Sequence, residues 1–443
     1  MINIKIGDCR EKLKELPNNF FHTVITSPPY WGLRDYGTGK WEGGSENCSH
    51  IAGKSRNDAD REFGTGETLI VQYRDVCKDC GAVRIDSQIG MEESPEEYVN
   101  QIVRVFREVW RVLREDGTLW LNLGDSYSSG GRSTTTNQSV RGDKDYGVTR
   151  PPVTKSLKPK DLVGIPWRVA LALQADGWYL RQDIIWHKPN PMPESVKDRC
   201  TKAHEYIFLL TKSEKYFYDV NAIREENTWE ESKPRPSGME RNGAKYRDKV
   251  KYGGGGTGFA GHSGTLKADG TSLNHPMGRN KRSVWTVPVK PYNEAHFAVF
   301  PTDLIEPALL AGCPPKICSE CGTPYEREMV TTEVPNRETR DNMVGVIPKR
   351  DKTSRMNSKD MKSLVQEDRG FTKNCSCSGD KSESGRVLDP FGGSGTTALV
   401  ADRNGRSATI IELNEKYVGI AQGRIQADAP LFTQMEVDNE TKT

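Results

Sequence analysis

The sequence predicts an α/β protein built around a sheet. In the first half of the chain, short apolar strands alternate with amphipathic helices, which is the pattern of a layered α/β fold. Near the C-terminus, residues 386–411 have the pattern of a strand, a glycine turn, a helix and a second strand. A chain of 443 residues is long enough to bury a sizeable core, so we expect a globular protein.

The elements of the first half can be located in order. Strands are predicted at residues 2–6, 22–26, 118–123, 179–186 and 206–211, and helices at residues 9–16, 94–113 and 166–175. The helix at 94–113 has the clearest beginning. Ser94-Pro95-Glu96-Glu97 supplies an N-cap, a proline in the first turn and two acids near the positive end of the helix dipole.

Two polar segments interrupt this alternation. Residues 126–159 and 233–290 have almost no apolar periodicity, and both are predicted to be mobile loops or inserted recognition elements. The second segment contains twelve Lys and Arg against three Asp and Glu, although the whole chain has a net charge of only +2. Basic charge concentrated in one segment indicates a surface for a polyanion.

Neither a targeting leader nor a membrane span is predicted. The chain does not open with basic residues followed by an apolar segment and a cleavage site. No apolar run approaches the roughly 18 residues that a membrane helix needs. We therefore expect a soluble, cytoplasmic protein.

The glycine turn near the C-terminus indicates the kind of ligand it holds. Three glycines between residues 392 and 395 allow the backbone to approach a ligand closely. No lysine follows Gly395, as a Walker loop requires, and Ala398 stands where a nicotinamide fingerprint has its third glycine. Asp389 and Glu412, at the two strand ends, suit ribose hydroxyls and a cationic centre, as in S-adenosylmethionine. A tight turn with a surface acid is the alternative.

This turn and a second motif together resemble a known family. DPFGGSGTT at 389–397 with TSPPYW at 26–31 is similar to the amino-methyltransferases of DNA, which transfer methyl from S-adenosylmethionine to an exocyclic base nitrogen. Because SPPY precedes the cofactor motif, the chain resembles the circularly permuted β group of that family. The resemblance implies a Rossmann-like methyltransferase fold, with a permuted, mixed but mainly parallel seven-stranded sheet that is flanked by helices and carries zinc-knuckle and recognition insertions.

The resemblance also implies a division of the chain. Residues 1–225 would form the catalytic half, with a zinc-knuckle insert at about 41–90 and a mobile loop at about 126–160. Residues 226–292 would be the basic target-recognition insert. Residues 293–430 would form the cofactor-binding half, with a second zinc-knuckle insert at about 313–380, and residues 431–443 a C-terminal tail.

Cofactor contacts are implied in three places. In the permuted order, Ile6-Gly7-Asp8 would follow the cofactor unit in space, which places Asp8 near the adenine. Residues 295–312 resemble the helix-bearing segment that precedes the cofactor strand. The implied cofactor-binding residues are Asp8, Phe300, Pro301, Asp389, Pro390, Phe391, Gly393, Gly395, Thr396 and Glu412.

The SPPY motif has a chemical explanation in this family. The exocyclic amine of a base is a poor nucleophile, so its hydrogens must be held by acceptors while its lone pair points at the methyl group. Ser27 and the carbonyl of Pro28 are the predicted acceptors, and Pro29 further stiffens the backbone. Tyr30 is predicted to stack on a base flipped out of the duplex. The alternative is a proline loop terminator with a buried tyrosine.

More than one alternative stays open for the target base and for the substrate class. The chain has no Pro-Cys pair, so cytosine C5 methylation through a nucleophilic cysteine is not predicted. Within the family, Ser at position 27 favours cytosine N4 over adenine N6. A methyltransferase acting on RNA or protein, and a DNA-binding module without activity, are the more distant alternatives.

A further segment resembles the wall of the target pocket in the same family. Residues 186–213 contain Trp-x-Lys and a proline-rich loop. Lys188, Asn190, Arg199, Lys202 and His204 are candidate contacts to the flipped nucleotide or to phosphates. A solvated strand end explains the same residues equally well.

Most of the ten cysteines occur as close pairs, which favours metal binding over disulfides. One predicted zinc site combines Cys318, Cys321, Cys375 and Cys377, and the other combines Cys48, His50, Cys77 and Cys80. Tetrahedral zinc takes four such ligands, so both sites would be structural, since no position is left open for catalysis. Free buried thiols are the alternative. Cys313 is a competing ligand, and Cys9 and Cys200 are expected to be ordinary thiols.

The expected partners follow from the resemblance. They are double-stranded DNA and, in a restriction-modification system of a bacterium or a phage, a cognate restriction endonuclease. No membrane partner is expected, and the protein would act as a monomer or homodimer. Transfer would be direct, with neither a catalytic metal nor a covalent intermediate.

Overall fold

The structure is a computed structural model, and the residues that it describes are 1–32, 34–36, 38–56, 68–72, 76–128, 138–139, 147–148, 157–226, 278–290, 299–335, 347–348, 362–429 and 434–438. The chain forms two compact units. The first comprises Met1–Asp219, Arg282–Tyr325 and Lys373–Thr443. The second comprises Val220–Lys281 and Glu326–Thr372.

The strands and helices are numbered in chain order. The strands are β1 (Ile2–Ile6), β2 (Phe21–Thr26), β3 (Arg34–Asp35), β4 (Lys40–Glu42), β5 (Ile51–Arg56), β6 (Thr68–Gln72), β7 (Val83–Ile85), β8 (Leu113–Leu123), β9 (Gln138–Ser139), β10 (Gly147–Val148), β11 (Tyr179–His187), β12 (His204–Thr211), β13 (Val284–Thr286), β14 (Ile317–Cys318), β15 (Glu326–Pro335), β16 (Ile347–Pro348), β17 (Lys362–Thr372), β18 (Ser382–Glu383), β19 (Arg386–Asp389), β20 (Ser407–Glu412) and β21 (Met435–Asp438). The helices are α1 (Cys9–Lys12), α2 (Pro95–Val112), α3 (Ile165–Ala175), α4 (Thr302–Gly312), α5 (Thr396–Arg403) and α6 (Glu415–Asp428), with short 3-10 helices at Leu13–Glu15 and Val220–Ile223.

The main sheet lies in the first unit and has nine strands in the order β13-β11-β12-β8-β2-β19-β20-β1-β21. Strands β8, β2, β19, β20 and β1 are parallel to one another, and β12 is antiparallel to both of its neighbours. The predicted mixed, mainly parallel sheet is confirmed, but the predicted number of seven strands is wrong. The edge strands β13 and β21 have three and four residues, too few for apolar periodicity to reveal them.

Helix α2 shows how the sequence determines a layer of this fold. The Ser94 hydroxyl caps it by accepting a hydrogen bond from the Glu97 amide at 3.2 Å. Apolar residues three or four apart form its inner face and are fully buried: Tyr98, Ile102, Val105, Phe106 and Val109. Burial of each such side chain contributes about 1.5–3 kcal/mol, so this face holds the helix on the sheet.

The predicted elements of the first half are all present, with shifted ends. The helix predicted at 9–16 is α-helical only to Lys12 and continues as the 3-10 helix Leu13–Glu15. Strand β8 begins at Leu113, before the predicted start at residue 118. The predicted strand, glycine turn, helix and strand at 386–411 correspond to β19, α5 and β20, and Gly395 is the N-cap of α5.

Several predicted segments fall partly outside the described residues. These are the loop at 126–160, the basic insert at 226–292, the zinc-knuckle inserts at 41–90 and 313–380, the segment 295–312 and the tail at 431–443. Part of the tail belongs to the main sheet, because β21 pairs in parallel with β1. Within the insert at 313–380, β15 pairs antiparallel with β17 in the second unit, and no strand was predicted there. Among the helices of the described residues, none is long and apolar enough to cross a bilayer.

Candidate active site

A cavity of about 390 Å³ lies at the carboxyl ends of the parallel strands of the main sheet. The residues that follow β8, β2, β19, β20 and β1 all line it, namely 124–125, 27–30, 390–394, 413 and 7–8. Open α/β sheets bind their ligands at this edge, because the strand ends present loops and helix N-termini there. The ends of five parallel strands therefore contribute to one site.

The structure brings most of the predicted site residues together. Those that line the cavity are Asp8, Ser27, Pro28, Pro29, Tyr30, Phe300, Pro390, Phe391, Gly393, Thr396 and Glu412. Pro301, Asp389 and Gly395 do not line it. The predicted contact of these three residues with a cofactor stays a prediction.

The hydroxyl of Tyr30 lies among polar groups. It is 2.9 Å from Glu205 Oε2 and 3.1 Å from Asn122 Oδ1, and it accepts a hydrogen bond from Ser27 Oγ at 3.4 Å. Burial raises the pKa of Tyr30 well above its usual value near 10, so the hydroxyl remains a donor. Gly124 makes room for the ring, since a Cβ at that position would lie 2.4 Å from a ring carbon. The tyrosine is thus fixed at both its ring and its hydroxyl.

Glu205 connects Tyr30 to a cation. Its second carboxylate oxygen pairs with Lys188 Nζ, which also lies 4.2 Å from the centroid of the Trp186 ring. Sequence reasoning identified Lys188 but missed Glu205 and Asn122. The signal for Glu205 was an acid near the start of the mostly apolar strand HEYIFLLT. A half-buried acid in such a place is stabilised by partners, and Lys188 and Tyr30 provide two.

The other predicted pocket residues divide into two groups. Lys188, Lys202 and His204 line the cavity, whereas Asn190 and Arg199 do not. The Asn190 side chain instead makes two hydrogen bonds with the backbone of Val289, at 2.9 and 3.0 Å. Arg199 forms an ion pair with Glu194. Burial lowers the pKa of Lys202, although neighbouring acids oppose this shift.

Asp389 joins the two sequence motifs inside the protein. Its carboxylate is 1% exposed and accepts hydrogen bonds from Thr26 Oγ1 at 2.6 Å, Thr397 Oγ1 at 2.7 Å and the Phe391 amide at 3.0 Å. Burial raises the pKa of Asp389 to about 6, and the three donors counteract this shift. Thr26 begins TSPPYW and Thr397 ends DPFGGSGTT, so this carboxylate fixes the position of one motif against the other.

Glu412 presents a carboxylate to the cavity. Its Oε2 accepts a hydrogen bond from the Gly393 amide at 2.7 Å, and its Oε1 accepts one from the Asn414 amide at 2.8 Å. A carboxylate can accept about four hydrogen bonds, so capacity remains for a ligand. Burial raises the pKa of Glu412 to about 7 despite these donors.

Asp8 lines the cavity next to Glu412, and its predicted proximity to an adenine stays a prediction. Strand β1 pairs in parallel with β20, and Ile6 is opposite Glu412. The Asp8 carboxylate caps α1 through the Arg10 amide at 2.9 Å and forms an ion pair with the Arg10 guanidinium. Arg10 also donates a hydrogen bond to the Ser87 carbonyl at 2.8 Å. Two carboxylates, Asp8 and Glu412, therefore lie at adjacent strand ends of the cavity.

Two groups of four metal-ligating side chains occur in the first unit. The first cluster consists of Cys48, His50, Cys77 and Cys80, and the second cluster of Cys318, Cys321, Cys375 and Cys377. In each cluster the ligand atoms all lie within 4.8 Å of one another. The predicted grouping of these eight residues is confirmed. All ten cysteines are free thiols, and Cys9, Cys200 and Cys313 belong to neither cluster.

The two clusters lie in different parts of the first unit. In the second cluster's turn, the Gly322 carbonyl accepts a hydrogen bond from His22 Nε2 at 2.9 Å. His22 is near the beginning of β2, whereas the cavity is at its end. The first cluster belongs to the segment between β4 and β7, whose flanking residues line the cavity.

Together, fold and site define an α/β protein that holds an SPPY loop and a glycine turn at one sheet edge. A family model described as DNA methylase (N6_N4_Mtase) matches residues 21–317 and 377–423. The chain is 35% identical to the Type II methyltransferase M.Cfr9I of Citrobacter freundii over 422 residues, which are 95% of this chain and 87% of that protein. It is 34% identical to M.SmaI of Serratia marcescens over 425 residues, which are 95% and 90% of the two chains.

Among solved structures, the chain is similar to the putative DNA modification methylase TTHA0409 of Thermus thermophilus in complex with S-adenosyl-L-methionine, with 17% identity, a TM-score of 0.42 and coverage of 99% and 100%. It is also similar to the cytosine-N4-specific PvuII DNA methyltransferase, with 14% identity, a TM-score of 0.44 and coverage of 98% and 94%. The chain belongs to the DNA methylase family. The predicted family is thereby confirmed.

Proposed function

We propose that this protein transfers a methyl group from S-adenosylmethionine to the exocyclic N4 of cytosine in duplex DNA after flipping the base. The observation that carries the proposal is the convergence of the SPPY loop and the glycine turn on one cavity. The loop follows β2 and the turn follows β19, which are adjacent parallel strands. A base held at the loop would therefore lie next to a cofactor held at the turn.

The donor set of the cavity fits S-adenosylmethionine. When bound, this cofactor supplies an electrophilic methyl group on a cationic sulfur. Asp8 and Glu412 offer acceptors for hydroxyl groups and a negative charge near a cation, while Phe300, Phe391 and Ile411 offer apolar contacts for an adenine ring. A volume of about 390 Å³ is within the range of ligand pockets.

The loop residues act on the base. Ser27 Oγ and the Pro28 carbonyl accept the hydrogens of the target amine, so that its lone pair points at the methyl group. The nitrogen would bond the methyl carbon as the carbon–sulfur bond breaks, and one amine hydrogen would leave as a proton to Ser27 or to solvent. The ring of Tyr30 stacks on the flipped base, and its position is fixed by Glu205 and Gly124. The Ser27 hydroxyl is available to the target amine, because its hydrogen bond to the Tyr30 hydroxyl is long, at 3.4 Å.

Cytosine N4 is the proposed target because position 27 is serine. Adenine N6 is the second candidate, since the same loop geometry can hold either exocyclic amine. Incubation with labelled S-adenosylmethionine and duplex DNA tests transfer, and mass spectrometry of the nucleosides identifies the base. We expect 4-methylcytosine; 6-methyladenine would refute the choice of base, and no label in DNA of any sequence would refute the proposed activity.

The proposed partner is duplex DNA, and the basic segment 233–290 would contribute to its recognition. Lys188, Lys202 and His204 line the cavity and supply cations or donors for the flipped nucleotide and its phosphates. Phosphate contacts of this kind make affinity salt-dependent. Because the relatives M.Cfr9I and M.SmaI are Type II methyltransferases, we also propose a cognate restriction endonuclease.

We further propose that each cluster holds one structural zinc ion. Zinc–sulfur bonds of about 2.3 Å and zinc–nitrogen bonds of about 2.0–2.1 Å give tetrahedral edges of about 3.8 Å between two sulfurs and about 3.5 Å between sulfur and nitrogen. In the first cluster, Cys48 Sγ lies 3.7 Å from Cys77 Sγ, and Cys80 Sγ lies 3.5 Å from His50 Nδ1. These distances fit zinc. Elemental analysis of the purified protein should find about two zinc ions per chain, and a value near zero would refute the proposal.

A further inference from the structure

The first cluster is continuous with one wall of the cavity. Strands β4 and β7 pair antiparallel, with Lys40 opposite Ile85. The chain that leaves β4 and enters β7 carries the first cluster. At the other end of this two-stranded ladder, the residues that precede β4 and follow β7 line the cavity, and we call them the rim: Tyr36, Thr38, Ser87 and Gln88.

Hydrogen bonds across the ladder hold the rim together. Asp86 Oδ1 accepts hydrogen bonds from Thr38 Oγ1 at 2.8 Å and from the Gln88 amide at 3.0 Å. The Tyr36 amide donates to Gln88 Oε1 at 2.7 Å. Asp86 does not itself line the cavity. The Thr38–Asp86 and Tyr36–Gln88 hydrogen bonds join the two sides of the rim, so pairing of β4 with β7 supports its form.

The rim in turn contacts the two loops that carry the acids of the cofactor subsite. Arg10, the partner of Asp8, donates a hydrogen bond to the Ser87 carbonyl at 2.8 Å. Asn414, whose amide binds Glu412, donates through its side chain to the Tyr36 carbonyl at 3.1 Å. Displacement of the rim would therefore disturb both acids at once.

The two-stranded ladder of β4 and β7 buries little apolar surface of its own. Each strand has three residues, and Val83 and Ile85 are 47% and 49% exposed. Isolated two-stranded ladders are marginal in water, because they bury too little apolar surface to offset the lost conformational entropy. The first cluster closes the distal end of this ladder with ligands from both sides. Gly44 fits this closure, since a Cβ there would lie 2.7 Å from Cys80 Sγ.

We infer that zinc at the first cluster sets the affinity of the protein for S-adenosylmethionine by holding the rim in place, whereas zinc at the second cluster does not. The inference rests on the proposed function and adds a metal requirement for cofactor binding. The second cluster serves as an internal comparison, because it has four cysteine ligands but is associated with the opposite end of β2.

The test compares full-length Cys80→Ser and Cys377→Ser proteins with the wild type. Bound zinc is measured by elemental analysis, and cofactor affinity by calorimetry on the same preparations. Each variant should lose about one zinc ion. We expect Cys80→Ser to bind S-adenosylmethionine at least about tenfold more weakly, which is about 1.4 kcal/mol, and Cys377→Ser to stay within about twofold of the wild type.

A third variant separates the rim from the metal. Asp86→Ala should retain both zinc ions and bind the cofactor about threefold or more weakly, because the hydrogen bonds of the rim are lost while the ligands remain. If Cys80→Ser does not fold, as judged by circular dichroism, the Asp86→Ala protein provides the test. An unchanged affinity of Asp86→Ala for S-adenosylmethionine then overturns the inference.

Three further results would overturn it. They are unchanged affinity in Cys80→Ser after loss of its zinc, an equal loss of affinity in Cys377→Ser, and a wild type without zinc at the first cluster. Failure of the zinc-loaded wild type to bind S-adenosylmethionine would instead refute the proposed function, so the two failures are distinguishable.

Discussion

The hydrogen bonds of Asp389 give the most specific test of how the site is assembled. This carboxylate accepts hydrogen bonds from the hydroxyl groups of Thr26, the last residue of β2, and Thr397, in helix α5. We expect Asp389→Ala to destabilise the protein and to weaken cofactor binding together, because the glycine turn loses the group that positions it. A residue that only contacted the ligand would change binding and leave stability intact.

The magnitude follows from three hydrogen bonds and the cost of burial. Hydrogen bonds to a charged group contribute about 1.5–3 kcal/mol each, and the three donors of Asp389 lie at 2.6, 2.7 and 3.0 Å. Burial raises the pKa of this carboxyl to about 6, so part of that energy offsets desolvation of the charge. We therefore expect a net loss of about 2–4 kcal/mol in the free energy of unfolding for Asp389→Ala.

The assay is denaturant unfolding at constant pH, paired with calorimetric titration of S-adenosylmethionine. Thr397→Val is the matched control, because it removes one donor and keeps the shape of the side chain; about 1–2 kcal/mol should be lost. A stability of Asp389→Ala equal to that of the wild type, with cofactor binding abolished, would show that the carboxylate acts on the ligand directly and would refute the structural explanation.

Three further predictions concern the cavity. Ser27→Ala and Tyr30→Ala should each lower kcat by about 10- to 100-fold with cofactor Kd retained, and unchanged turnover in both would contradict the assigned roles. Burial raises the pKa of Glu412 to about 7, so its carboxylate loses its charge as the pH falls through 7. Cofactor affinity should then be about tenfold weaker at pH 6 than at pH 8, and Glu412→Gln should remove this dependence; a titration that stays pH-dependent in the variant points to another group. Glu205→Gln, which can still accept from Tyr30, should reduce kcat less than Glu205→Ala at equal cofactor Kd, and equal rates for the two variants would argue against a positioning role.

Local sequence patterns predicted the elements whose ends and buried faces are marked by neighbouring residues. Helix α2 has a capping serine and a continuous apolar face, and β2 has an apolar run ended by prolines. The eight members of the two clusters were also predictable, because close pairs of cysteine or histidine have few other uses in a long chain. In each of these cases the information lies within a few residues.

Other features depend on contacts that no local pattern records. Strands β13 and β21 are too short for periodicity, and they become strands only by pairing with an existing edge. The sequence placed Asp389 at a strand end, where a carboxylate is able to point towards a ligand or into the core. Its direction is decided by hydroxyl groups at positions 26 and 397, which sequence reasoning did not assign as partners.

The order of strands explains why the site cannot be understood from either motif alone. Strand β19 lies between β2 and β20, with Val387 opposite Thr23 and Leu388 opposite Val24. Because β2 comes from the beginning of the chain and β19 from near its end, the centre of the sheet is complete only when contacts of very long sequence separation have formed. The SPPY loop and the glycine turn then become neighbours. Their relative position is set by the register of two adjacent strands and by the carboxylate of Asp389. The geometry proposed for methyl transfer therefore depends on the pairing of β2 with β19 and cannot be derived from one motif alone.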